Sequence, residues 1–176
     1  MIKGKKVGLR AVEKADLSLL RDWRNIPEFR KHFREVRELS LTDQEAWFDS
    51  LQKTKHINYM FTIVDLDSKK PIGAAGLLYI NWIIRSADFS FYIGDDNKYI
   101  GDDGIANEAT QLLIDYGFNN LNLHKIWMEL YEFDKQKIEF FTKEFDFKQD
   151  AILRDNCFEG GKYWDSIIIS LLINEV

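Results

Sequence analysis

The stretch Ile93-Gly94-Asp95-Asp96-Asn97-Lys98-Tyr99-Ile100-Gly101-Asp102-Asp103-Gly104-Ile105-Ala106-Asn107-Glu108-Ala109 decides the fold. It begins where a strand-like run over 86–93 ends. In that run Ala87, Phe89, Phe91 and Ile93 fall on one face and Asp88, Ser90 and Tyr92 on the other. It ends in an amphipathic helix whose apolar stripe is Ile105, Ala109, Leu112, Leu113 and Tyr116. The N–H groups at a helix N-terminus point outward and suit a phosphate, and glycines let backbone approach a ligand closely. Taken alone, a strand, a glycine turn and a helix are equally a plain structural junction, and the residues leave both readings open.

Working outward, residues 7–12 read as a first strand. Asp16 caps a helix carrying Leu17, Leu20 and Trp23, which stops near Asn25-Ile26-Pro27. Thr42-Asp43-Gln44-Glu45 reads as a capping box, with Leu41 as its staple, opening a second helix. Strands follow at 59–66, 72–80 and 86–93, then the junction helix. A strand at 125–132, a helix at 136–144 and strands at 151–158 and 163–173 complete the chain. A βαβ unit thus sits inside a mostly antiparallel sheet, an α+β class with one parallel strand pair. With two prolines and no Gly/Ser-rich linker, residues 1–176 read as one domain.

Of the 176 residues, 45% are hydrophobic and 30% charged, and the net charge is −5, which argues against a nucleic-acid partner. The longest apolar run, 167–173, contains Ser170 and is too short for a membrane span; the N-terminal Met1-Ile2-Lys3-Gly4-Lys5-Lys6 has no apolar signal core. A single cysteine, Cys157, permits no internal disulfide and suits a reducing compartment, so a cytoplasmic protein is expected. Neither G-x-G-x-x-G, G-x-x-x-x-G-K-[ST] nor G-x-S-x-G occurs. His32, His56 and His124 are not at metal-ligand spacing, and Asp95-Asp96-Asn97 fails as a calcium loop because Ile100 and Ala106 stand where glycine and glutamate belong. No metal is expected.

The order of elements, the junction, and the tract Leu121-Asn122-Leu123-His124-Lys125-Ile126 resemble the GNAT superfamily of acyl-CoA-dependent N-acetyltransferases. Tyr79-Ile80-Asn81-Trp82-Ile83-Ile84-Arg85-Ser86-Ala87-Asp88-Phe89 is similar to its ribosomal-protein and spermidine N-acetyltransferase branch. Asp22-Trp23-Arg24-Asn25 with Gln44, Trp47 and Phe48 resembles acetyltransferases of amino sugars in nucleotide-linked precursors. The resemblance implies a three-layer α/β/α fold, acetyl-CoA as co-substrate, and an amine acceptor that is a polyamine, an amino sugar or a protein N-terminus. The alternative is a weakly catalytic acyl-CoA-binding or interaction protein of the same fold.

By that resemblance the pyrophosphate loop is Gly101, Asp102, Asp103, Gly104, Ile105 and Ala106, with Asn107 beside it. The strand through Phe91, Tyr92 and Ile93 would splay from strand 125–132 so that main-chain groups of Phe91 and Ile93 pair with pantetheine, and an N–H near Ile93 would polarise the thioester. Asp88 is implied as the base that neutralises the amine; its alternative is an ion pair with Arg85 or a lysine. The pattern L-Y-E-K-x-G-F maps onto residues 141–147 and puts Thr142 at the tyrosine position. A pantetheine-bonding asparagine becomes Lys135, or Asp134 if the register slips by one. Trp23, Arg24, Asn25, Arg37, Trp82, Arg85 and Tyr163 are the candidate acceptor-binding residues. The basic run Arg30-Lys31-His32, Arg34 and Arg37 is either a solvated face or a contact for phosphate. The apolar final strand allows pairing across a homodimer or burial within one chain.

Overall fold

A computed structural model describes residues 1–101 and 104–176. Eight strands form one sheet: β1 (Ile2–Lys3), β2 (Val7–Ala11), β3 (Tyr59–Asp65), β4 (Pro71–Asn81), β5 (Ser86–Ile93), β6 (Lys125–Tyr131), β7 (Lys148–Glu159) and β8 (Lys162–Leu172), in the order β1-β2-β3-β4-β5-β6-β8-β7. Every neighbouring pair is antiparallel except β5 and β6. The helices are α1 (Leu17–Asn25), α2 (Pro27–Arg30), α3 (Leu41–Lys53), α4 (Ile105–Asp115) and α5 (Lys135–Glu144).

The alternation in β5 assigns the layers. Tyr92 meets Trp23 of α1 edge-on, whereas Phe89 packs against Phe141 of α5. Phe61 lies opposite Ala75, which lies opposite Phe91, and Phe61 touches Tyr116 at the end of α4. Residues opposite one another across antiparallel strands share a face, so α1 and its neighbours cover one side of the sheet and α4 and α5 the other. The core fills both spaces, with Leu9, Ile63, Leu77, Phe91, Leu113, Ile126 and Phe141 all fully buried. No helix among the described residues is long and apolar enough to cross a membrane.

The ends of several elements differ from the sequence expectation. The cap of α3 is Ser40, not Thr42: the Asp43 N–H donates to the Ser40 hydroxyl at 3.1 Å and Asp43 accepts from the Ser40 N–H at 2.8 Å. Asp16 precedes α1 without capping it. Its buried carboxylate instead accepts two bonds from Arg10 at 2.7 Å and one each from the Glu13 N–H and the Thr62 hydroxyl at 2.9 Å. Pro27 ends α1 but also opens α2, where a missing N–H costs nothing. Strand β8 is paired on both sides, by β6 and β7, so its apolar residues are internal to this sheet.

Candidate active site

The parallel pair is short. β5 and β6 pair only at Ser86–Lys125, Ala87–Ile126 and Asp88–Trp127. Beyond Asp88 the strands diverge, leaving a V-shaped opening whose walls are residues 89–93 and 128–131. At its mouth, Ile93 turns into the junction loop, and Gly94 passes against Trp23 so closely that a Cβ there would lie 2.0 Å from the indole.

The loop returns to α4 through Gly104, whose φ of +79° favours glycine, and no side chain caps the helix terminus. The first-turn N–H groups of Ala106 and Asn107 point along the axis. Two lysines distant in sequence join this end: a Cβ on Gly104 would sit 3.6 Å from the Lys6 amine, and Lys5, Lys6, Gly104 and Asn107 line one shallow pocket. They are held there by Glu108, which accepts the N–H groups of Lys5, Lys6 and Val7 at 2.5, 2.7 and 2.9 Å. Burial would raise the Glu108 carboxyl, but these three donors hold it below the usual range. This terminus fits a pyrophosphate: uncapped N–H groups, a glycine cradle and two cations. Asp102 and Asp103 lie outside the described residues.

A polar cluster occupies the inside of the V. Lys137 of α5 is buried, and its amine donates to the Phe91 carbonyl at 2.6 Å and lies 3.3 Å from the Tyr99 hydroxyl. The Tyr99 hydroxyl donates to buried Asp134 at 2.6 Å, and His32 stacks on the Tyr99 ring. Burial pulls the Lys137 amine down to about 8 against the opposing pull of Asp134 and Asp88, and it pulls His32 down to about 4. His32 is therefore neutral at pH 7. Its Nδ1, although 3.3 Å from Asp134, makes no hydrogen bond. Ile93 exchanges both main-chain bonds with Tyr99 at 2.8 Å.

On the other face of the sheet, Asp88 is 5% exposed and receives Arg34 Nη1 at 2.7 Å; Arg34 Nη2 reaches Glu129 at 3.3 Å. Burial raises the Asp88 carboxyl, with Arg34 opposing. Further along β5, Ser90 and Tyr92 form the floor of a cavity of about 430 Å³, whose walls include Arg24, Glu35, Arg37, Gln44 and Trp47.

These positions sort the sequence candidates. Arg24 and Arg37 line the cavity and Asp88 does not; the hydrogen-bonded partner of Asp88 is Arg34, neither Arg85 nor a lysine. Phe91 and Ile93 line the V, but the Phe91 carbonyl and both Ile93 groups already have partners. Lys135 is exposed, whereas Asp134 is buried and holds the N-cap of α5, accepting the Lys137 N–H at 3.3 Å. The Thr142 hydroxyl donates back to the Ile138 carbonyl at 2.8 Å. Trp23 is 7% exposed and belongs to the core. Asn25 clamps the chain at Leu39 through bonds of 2.8 and 2.7 Å. Trp82 and Arg85 sit around the β4–β5 turn, bonding His56 and Asn122, and Tyr163 packs on Phe158 in the exposed β7–β8 hairpin; none of the three lines the cavity. Cys157 is half-buried, its thiol pushed up by burial and by Glu159 and Glu129. Sequence reasoning did not single out Lys5, Lys6, Tyr99 or Lys137, and it left His32 and Arg34 in a basic run that was either a solvated face or a phosphate contact, without pairing Arg34 with Asp88.

The model of the Acetyltransferase (GNAT) domain matches residues 6–143. The spermidine N(1)-acetyltransferase of Vibrio cholerae is 29% identical over 158 residues, covering 89% of this chain and 87% of that protein. An uncharacterized N-acetyltransferase, p20, of Bacillus licheniformis is 26% identical over 97% of this chain and 94% of its own length. The crystal structure of the Vibrio cholerae spermidine N-acetyltransferase with CoA and spermine superposes with a TM-score of 0.86 at 25% identity, covering 97% of both chains. A splayed parallel pair beside a glycine-led helix, in a chain whose family model spans most of its length, places this protein in the GNAT acetyltransferase family.

Proposed function

We propose that this protein transfers the acetyl group of acetyl-CoA to a primary amine by direct attack within a ternary complex. The observation that carries the reading is the separation of β5 from β6 immediately after Asp88, next to the uncapped start of α4. Acetyl-CoA supplies the activated acetyl group. The first-turn N–H groups of α4 with Lys5 and Lys6 hold its phosphates, and the V accepts its arm once Lys137 releases the Phe91 carbonyl. Asp88 takes the proton of the attacking amine, directly or through water; burial raises its basicity and Arg34 limits the rise. With the Ile93 N–H committed to Tyr99, the Lys137 ammonium is the strong donor on the inner wall, suited to developing negative charge and to protonating the departing sulfur. The names of the relatives make spermidine the first acceptor to assay.

One observation favours a second reading, a weakly catalytic acyl-CoA binder: the main-chain groups of Phe91 and Ile93 already have partners inside the protein. Calorimetric titration with acetyl-CoA and with free CoA separates the readings, followed by thiol release with a panel of amines. Micromolar binding with amine-dependent thiol release is expected. Binding without release favours the second reading, and no binding of either species refutes both.

A further inference from the structure

We infer that the acceptor carries an anionic group, a carboxylate or a phosphate, which Arg24 holds in the 430 Å³ cavity while the amine meets Asp88, which lies outside the lining, two residues before its floor residue Ser90 on the same face of β5. This deepens the acetyltransferase reading and rests on it. Arg24 is a largely enclosed guanidinium lying 4.0 Å over the Phe33 ring; its Nε is buried and has no hydrogen-bond acceptor. Arginine cannot shed its charge to escape that penalty, and an unpaired buried charge is costly unless something arrives to pair with it. Burial already pulls its pKa below the ordinary arginine value.

The other charged groups of the cavity each have hydrogen-bond partners. Glu35 accepts three bonds from Arg37, at its N–H, Nε and Nη2, at 3.0, 3.1 and 2.8 Å. Asp43 is bound to the N–H and hydroxyl of Ser40 at 2.8 and 2.6 Å. Arg24 is thus the charged group of this lining that has no hydrogen-bonded counter-charge of its own, although Glu35 attracts it from a distance. An anion finds a planar guanidinium, the geometry that grips carboxylate and phosphate oxygens in pairs. Because Asp88, Ser90 and Tyr92 share a face of β5, the cavity floor lies two to four residues from Asp88, so amine and anion should be separated by roughly 7–13 Å.

The test compares 6-aminohexyl phosphate, 6-aminohexanoate, 6-aminohexanol and spermidine as acceptors, with binding of the first two measured calorimetrically on wild type and Arg24→Gln. The anionic amines are expected to exceed 6-aminohexanol by tenfold or more in kcat/KM, and phosphate against carboxylate shows which anion the fork prefers. Arg24→Gln should erase that ratio and the calorimetric signal while leaving acetyl-CoA binding within twofold; Arg24→Lys should keep part of both. Equal use of anionic and neutral amines by wild type overturns the inference even if Arg24→Gln does not fold. So does a preference for spermidine, or an anion signal that survives Arg24→Gln. If acetyl-CoA does not bind, the acetyltransferase reading fails, and calorimetry with 6-aminohexyl phosphate still decides on Arg24: binding lost in Arg24→Gln keeps the subsite, and no binding to wild type removes it.

Discussion

The two ends of the cleft, the proposed cofactor end and the proposed acceptor end, are built from different materials. The cofactor end is a helix terminus and a glycine turn, with Lys5 and Lys6 drawn in by Glu108. The acceptor end is built of side chains: Asp88 from β5, Arg24 from α1, and Arg34, Glu35 and Arg37 from the segment between α2 and α3. A backbone site tolerates many side chains, because main-chain N–H groups supply the contacts. A side-chain site depends on each residue, and here it is where this chain has individual character. Substitutions should therefore act sharply at the acceptor end and mildly at the cofactor end.

The largest effect is expected at Asp88. Removing a general base typically costs 10²–10⁴ in rate, so Asp88→Asn should lower kcat/KM by about that factor with the acetyl-CoA Kd unchanged. Arg34→Gln is its companion: Arg34 holds the Asp88 carboxyl down against burial, so its loss should move the acid limb of the kcat/KM profile to higher pH. Unchanged kinetics in Asp88→Asn would reduce Asp88 to an ion-pair partner of Arg34. A weakened acetyl-CoA Kd would mean that the two ends are not separate at all.

The same division explains what could be read from the sequence. Strand β5 spans the residues that its alternation marked, because a half-apolar strand bounded by Gly94 carries a period-2 signal no other structure shares. The start of α4 was legible from Gly104 and the stripe after it. The acceptor end was not. Arg34 lies 54 residues from Asp88 in the chain, and within Arg30-Lys31-His32 it looks like any solvated basic face. His32 is half-buried because the segment after α2 stacks it between Tyr99 and Phe133, which periodicity cannot show. Lys137 is one more polar residue on the α5 pattern, and only the packing of α5 beside β5 brings its amine to the Phe91 carbonyl. The Ser40 cap lost to Thr42 for a simpler reason: both are followed three residues later by an acid, and local chemistry cannot rank them.

A middle-sized effect should appear in acid stability. His32 is held at about 4 in the folded chain against an ordinary 6.5. Between those values the unfolded chain binds the extra proton, so stability is complete above pH 6.5 and is lost as pH falls towards 4, by about 3 kcal/mol in all. His32→Phe keeps a ring against Tyr99 and removes a buried nitrogen that has no hydrogen bond. Denaturant melts at pH 7, 5.5 and 4.5 should show a shallower decline in His32→Phe than in wild type. Parallel declines would mean that His32 is hydrated and titrates normally, and the segment after α2 would then be looser than its packing implies.

The smallest effect is expected at the cofactor end. Glu108→Ala removes an acceptor from three backbone N–H groups, but these lie near the surface and water can replace it, so about 1–2 kcal/mol of stability should be lost. Lys5 and Lys6 would then lose their tether to the start of α4, and acetyl-CoA should bind about threefold more weakly, with the deficit shrinking as salt rises, since screening weakens exposed charges first. Glu108→Gln keeps one oxygen acceptor and should fall between. A stability loss with unchanged acetyl-CoA affinity would show that α4 and its glycine turn hold the phosphates unaided. The cofactor end would then be a backbone site in the strict sense, in full contrast with an acceptor end that depends on its side chains.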